Sequence, residues 1–364
     1  MKNLILFAAM AAIAVSCAKT GEINPVSEQA IGFDTWKNNL TKATTTTPHE
    51  GFKTGDKFGV FGYKQTGTEK TVVFNGDDVT LDANGSWNYS GIRFWDRTTD
   101  SYSFFAISPA GAIPVPADEP NDNANAPAKT GLFVTNDISF NGRNGDILVA
   151  KKKNVLKSSY GLAVDLEFVP EAALFDLKVK KAKNLEEAEL KINSISIQNI
   201  QTKGNLTVSG YDGDGVPETA WSLAAASETS TFNNTHGLIS VPLPTIDAGV
   251  SYGTANSVFL INKLIVMPQA LITNEQQLVI NYSITFGGET ITHSRTIDLN
   301  KFDTSDVDQT ANRDEASQNA GPFITSWEPG KHYTYYLTIN ADLIVFSATI
   351  CDWTDADAFH YIIN

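Results

Sequence analysis

Lys57-Phe58-Gly59-Val60-Phe61-Gly62-Tyr63 decides the fold. Aromatic and branched residues alternate there with glycine, the texture of a β-strand rather than a helix. The same texture continues downstream. Thr71–Phe74, Val79–Leu81, Ser86–Tyr89 and Tyr102–Ile107 are short runs of aromatic and branched residues. Asn75-Gly76-Asp77, Asn84-Gly85 and Pro109 separate them as turn signals. Asn84-Gly85 predicts a hairpin whose two central residues both take positive φ. Short strands at this spacing predict a sandwich or a barrel.

A second β-rich block begins near Tyr160. Leu162–Val169 alternates, Pro170 and Glu171 punctuate it, and Ala173–Val179 resumes. Ala188–Ile200 reads as one long strand or a strand pair, with Leu190, Ile192, Ile195 and Ile197 on its apolar face. Leu260–Met267, Leu278–Phe286 and Glu289–Leu299 follow, the last two joined by Gly287-Gly288, a second hairpin signal. Tyr333–Ile339 and Leu343–Ile350 close the chain around Asn340-Ala341. Pro114–Lys129 and Asp303–Pro322 are polar and read as loops. No long amphipathic helix is expected. The fold class is all-β.

The N-terminus carries an address. Met1-Lys2-Asn3, the apolar run Leu4–Val15 and Ser16 precede Cys17. A short basic start, an apolar core and a small residue before the cut describe a secretory signal. A cysteine directly after the cut makes it a lipoprotein signal, so residues 1–16 would be removed and Cys17 acylated. The apolar run is too short to span a bilayer as a helix. Residues 17–29 read as a tether. Ala30–Trp36 alternates as one strand, with Ile31 and Phe33 on one face, and Lys37–Pro48 reads as an exposed loop.

A chain of 364 residues suggests two domains at roughly 100–200 residues each. They are placed at 30–159 and 160–364. The net charge of −14 makes nucleic acid an unfavourable partner. With Cys17 spent on lipid, the second of the two cysteines, Cys351, has no partner within the chain. It lies in a strand-like run and is expected to be a buried, inert thiol.

Little in the sequence points to catalysis. His49, His236, His293, His332 and His360 stand at no metal-ligand spacing from one another. No nucleophile elbow and no phosphate loop occurs. The expectation is no enzyme, no cofactor and no metal. One stretch, Tyr211–Glu218, invites a calcium reading, because Asp212, Asp214 and Glu218 offer oxygens around a glycine turn. Its glycines and proline equally explain a tight turn. Trp87, Trp95, Trp327 and Trp353 adjoin strand-like runs and read as core plugs; exposed, they would stack on sugar rings.

These residues add up to a resemblance. Ile31-Gly32-Phe33 is followed by Thr41-Lys42-Ala43, then by Phe52-Lys53-Thr54-Gly55-Asp56 running into Lys57–Tyr63. Trp87 and Tyr89, Arg93-Phe94-Trp95, and Tyr102–Pro109 come next. The second half supplies Val164, Leu166 and Phe168 at alternate positions, Trp327 with Pro329-Gly330, Tyr333 and Tyr335, and terminal Trp353. In this order, behind a lipoprotein signal, the chain resembles the fimbrillin family, in particular its Mfa-like lipoprotein pilins and adhesins of anaerobic Gram-negative bacteria.

The resemblance implies two transthyretin-like β-sandwich domains. It implies a subunit carried to the outer membrane as a palmitoylated lipoprotein and exposed at the cell surface. A trypsin-like protease would then cut after a basic residue, here Lys37 or Lys42. The cut would remove the first strand, with Ile31, Phe33 and Trp36, together with its anchor. Another pilin subunit would fill the vacated groove, its donor coming from Leu343–Asn364, and the product would be a fimbrium with a host or glycan ligand. The competing reading is a lipid-anchored surface protein that binds glycans and is never cut.

Overall fold

The computed structural model describes residues 29–37, 52–112, 126–130, 133–140, 146–209, 218–223, 229–234, 239–240, 257–302, 323–341 and 344–352. Strands dominate them. In chain order the first eight are β1 (Phe33–Lys37), β2 (Lys57–Thr66), β3 (Glu69–Leu81), β4 (Trp87–Asn88), β5 (Ser101–Ser108), β6 (Phe133–Ser139), β7 (Leu148–Leu156) and β8 (Val164–Pro170). Then come β9 (Ala173–Lys181), β10 (Glu189–Gln201), β11 (Lys203–Ser209), β12 (Glu218–Leu223), β13 (Thr229–Asn234), β14 (Ile239–Ser240) and β15 (Val258–Val266). The chain closes with β16 (Gln269–Ala270), β17 (Gln277–Phe286), β18 (Glu289–Asp298), β19 (Ser326–Trp327), β20 (Lys331–Ile339) and β21 (Ile344–Asp352). The single α-helical turn described is Pro127–Thr130.

The protein is all-β. Its largest sheet runs β1-β8-β7-β5-β2-β3-β4. The sheet curls, because Phe33 of β1 at one edge meets the rings of Phe58, Phe74 and Phe104 from β2, β3 and β5. A first core forms inside, built on Phe58, Phe74, Phe104, Leu166 and Phe168. A second core lies between the sheets β15-β9-β20-β21 and β13-β10-β17-β18. Phe175, Leu177, Tyr335 and Leu337 enter it from one sheet and Leu190, Ile192, Ile280 and Tyr282 from the other.

Packing changes hands along the start of β9, where Leu174 still packs in the first core and Phe175 packs in the second. Ala172 belongs to the first core and Ala173 to the second. Tyr160, Val164, Leu166 and Phe168 all pack in the first core, past the boundary drawn at residue 160. The division is also crossed. The three-stranded sheet β12-β11-β6 joins residues from both sides, and Leu206 and Val208 pack in the first core.

Local structure departs from the sequence reading in instructive places. Asn75-Gly76-Asp77 is no turn but a bulge within the unbroken strand β3; the pairing skips from Val60↔Asp77 to Phe61↔Asn75, and Gly76 sits at φ 83°. Glycine supplies positive φ to a bulge as readily as to a turn. At Asn84-Gly85 only Gly85 takes positive φ. The Asp82 carboxylate shapes that turn by accepting the N–H groups of Asn84 and Ser86, each at 2.8 Å. Gly287 and Gly288, at φ 60° and 89°, form the expected two-residue hairpin. Cys351 is exposed, against the expectation of burial. The end of β21 runs past the second core, so Ile350 beside it is also exposed.

Candidate functional site: the first strand and its slot

The segment from Gln29 to Lys37 is held by backbone on two sides. On one side the Ile31 N–H donates to the Arg93 carbonyl at 2.8 Å, and the Trp95 N–H donates to the Gln29 carbonyl at 2.9 Å. Ala30 and Phe94 form the antiparallel bridge between them. On the other side the Val164 N–H donates to the Gly32 carbonyl at 2.8 Å. From there β1 runs parallel to β8, from Phe33↔Val164 to Lys37↔Phe168. Without this segment, both walls would present unpaired backbone groups.

Side chains fill the slot with strand periodicity. Ile31, Phe33 and Thr35 are buried, while Gly32 and Asp34 between them are half-buried. Phe33 sits among rings, with centroids of Phe58, Phe74, Tyr89 and Phe104 at 6.1, 5.4, 5.9 and 5.7 Å, all edge-on. Offset and edge-on packing is what ring quadrupoles favour. Burying Ile31 and Phe33 stabilises the seated strand by about 1.5–3 kcal/mol each.

Polar groups fix the register. The Tyr89 hydroxyl donates to the Ile31 carbonyl at 2.7 Å. Burial pushes the Tyr89 phenol up, so it keeps this proton at neutral pH. The Trp87 indole N–H donates to Thr35 Oγ1 at 3.2 Å. Thr35 is fully buried, so this partner satisfies a hydroxyl that would otherwise be stranded. A slip of one residue would turn Ile31 and Phe33 out of the core.

The wall at residues 89–96 is braced from outside the segment. The Arg93 guanidinium pairs with Asp77 at 2.6 Å, donates to the Val73 carbonyl at 3.0 Å, and lies over the Phe74 ring at 4.8 Å. Lys64 bonds Asp96 at 2.8 Å, and the Tyr102 hydroxyl accepts the Asp96 N–H at 2.7 Å. The Lys64 hydrogen bond, followed by those from Thr98, holds the Asp96 carboxyl down at about 2. At the mouth, Gly161 sits at φ 94°, and a Cβ there would collide with the Gln29 side chain.

The residues singled out from the sequence fall as follows. Ile31 and Phe33 are in the slot. Trp36 and Lys37 end β1, so Lys37 is paired with Phe168 in the strand rather than lying in the exposed loop expected from residue 37 on; only their backbone is described. Trp36 occupies the alternate register position to Phe33 and Thr35. Thr35 was missed, because a threonine carries no apolar signal; its role depends on a tryptophan 52 positions away. Trp87, Trp95 and Trp327 are buried in the cores. Cys17, Lys42, Asp212, Asp214, Trp353 and most of the Leu343–Asn364 donor lie outside the described residues, as does the side chain of Glu218.

Three comparisons bear on identity. Residues 41–353 match the model of a family described as fimbrillin-like. The fimbrium subunit Fim1C of Phocaeicola vulgatus is 29% identical over 123 residues, a stretch covering 31% of this chain and 32% of that protein. This match thus spans about a third of the relative's length. A crystal structure of a fimbrial protein from Bacteroides vulgatus superposes with a TM-score of 0.55 at 17% identity, covering 90% of this chain and 100% of the other. That likeness is one of fold.

Proposed function

The chain belongs to the fimbrillin-like family, and from that premise we propose that it is a structural or adhesive subunit of a surface fimbria, assembled by strand exchange. The subunit reaches the outer membrane as a lipoprotein anchored through Cys17. Proteolysis after Lys37 or Lys42 removes the segment that carries Ile31 and Phe33. The opened slot then takes a strand from another subunit; within the Leu343–Asn364 donor, Ile344–Asp352 is paired with β20 as β21, so the donating part falls on residues 353–364. The role is mechanical and no catalytic step belongs to it.

One observation carries the reading. Residues 29–37 form an insert whose backbone and apolar side chains are satisfied by two walls, although Val164–Glu167 of β8 pair with β1 alone while Phe168–Pro170 also pair with β7. Arg93 and Asp96 hold one wall and β8 forms the other. An incoming extended strand with apolar residues two apart and a small hydroxyl two further on would meet the same partners. This is the physics of strand complementation. The two-domain division is part of the proposal, with its seam at the start of β9 rather than at residue 160.

Glycan binding through exposed indoles finds less support. Trp87, Trp95 and Trp327 are buried, and Trp95 stacks on Tyr160 at 4.7 Å. Electron microscopy of expressing cells, with gold-labelled antibody to this chain, tests the proposal. Label along filaments or at their ends supports it. Diffuse envelope label with no filaments overturns it in favour of a permanently anchored protein.

A further inference from the structure

Among the described residues, β18 ends the sheet β13-β10-β17-β18. It pairs with β17 over ten residues, Gln277↔Asp298 to Phe286↔Glu289, without a bulge. Its outer side is therefore a regular row of backbone donors and acceptors. Natural edges are commonly blunted by shortness, bulges, lysine or proline. Here β4 is two residues long and β15 is bulged twice against β9. In contrast, β18 reads Glu289-Thr290-Ile291-Thr292-His293-Ser294-Arg295-Thr296-Ile297-Asp298, with neither lysine nor proline. All of it from Glu289 to Thr296 is exposed except half-buried His293. The apolar face of the hairpin continues to its tip uncovered, with Phe286 at 63% and Ile291 at 62% exposure.

Self-complementarity identifies an occupant. In an antiparallel pairing of two copies centred on Thr292, Glu289 of each lies opposite Arg295 of the other. Ile291 then faces His293, Thr290 faces Ser294, and Thr292 faces itself. Two opposite-charge pairs form and no like charges meet. Centring on His293 instead would set two imidazoles against each other and leave Glu289 opposite Ile297. Burial raises the Tyr282 phenol and the Arg295 charge opposes this, and the five donors of Arg295 leave capacity for a carboxylate. We propose that β18 is a homotypic docking edge, pairing with β18 of a second copy about a two-fold axis at Thr292.

The contact is small. A single strand pair lies below the area of a stable interface, so the free subunit associates weakly. Arrayed in a filament, many such edges would act together and join filaments side by side. This contact is separate from the slot at residues 29–37 and does not require its cleavage.

Sedimentation equilibrium of the uncut chain tests it, up to about 1 mM, the weak end of measurable affinity. The expected result is a monomer–dimer equilibrium that weakens with salt. Glu289→Arg weakens it about tenfold and so does Arg295→Glu, while the double exchange returns it to within about threefold of the parent. Ile291→Lys, at an exposed site that leaves the melting temperature unchanged, abolishes the dimer. A parent chain that stays monomeric, a dimer indifferent to Ile291→Lys, or a folded double exchange that fails to dimerise overturns the proposal.

Discussion

Phe33 and Glu171 show what single residues do here. Phe33 joins a strand to four rings from four other parts of the fold. Phe33→Ala is expected to cost about 3–5 kcal/mol in urea unfolding, because the rigid ring cage collapses little around the gap. Glu171 sits at the seam between the cores. Burial pushes its carboxyl up to about 8, a Thr219 hydrogen bond opposes this, and nearby Asp146 adds to it. Asp146 accepts the N–H groups of Ile147 and Ala172 at 2.6 and 2.8 Å, so it is the better placed to carry the charge. The folded chain keeps a proton on Glu171 that the unfolded chain releases near the ordinary value of 4.5. Stability through this group therefore falls as pH rises from 4.5 to about 8 and levels off above. Glu171→Gln, which stays neutral, is expected to be more stable than the parent by on the order of 3 kcal/mol at pH 8, with the gap closing toward pH 5. Thermal melts of both proteins across that range measure it; a gap independent of pH contradicts the assignment.

At the scale of elements, the strand texture was legible wherever side chains alternate. Lys57–Tyr63, Tyr102–Ile107 and Tyr333–Ile339 all lie in strands, Leu162–Val169 does so from Val164 on, and Gly287-Gly288 marked its hairpin. Nonlocal features were not legible. Nothing in residues 33–37 announces a parallel partner at residues 164–168, since register is set by the face that is buried and by distant walls. Asn75-Gly76-Asp77 failed for a local reason: one positive φ serves turn and bulge alike. The exposure of Cys351 depends on where the second core ends, which no run of residues encodes. A chain lacking residues 1–51 should self-associate or expose apolar surface that binds a hydrophobic dye. A synthetic peptide spanning residues 29–37 should restore a dye-silent monomer. The same peptide with Phe33 replaced by Asp should not, because a carboxylate cannot enter the ring cage.

For the molecule as a whole, two cores meet along β9, and the sheet β12-β11-β6 packs on the first core although β11 directly follows β10 of the second. Because β6 pairs with β11, which continues from β10, force applied to one half reaches the other through paired backbone as well as through the connecting residues. That suits a subunit in a filament under load. The central claim is that the first strand is a replaceable insert whose loss licenses assembly. Limited trypsin digestion of the purified chain, followed by sedimentation over a range of concentrations, tests it most directly. The expected result is cleavage after Lys37 or Lys42, loss of the N-terminal fragment, and oligomers that grow with concentration and are blocked by excess peptide covering residues 29–37. A chain resistant at both lysines, or a cut chain that remains monomeric at every concentration, contradicts it.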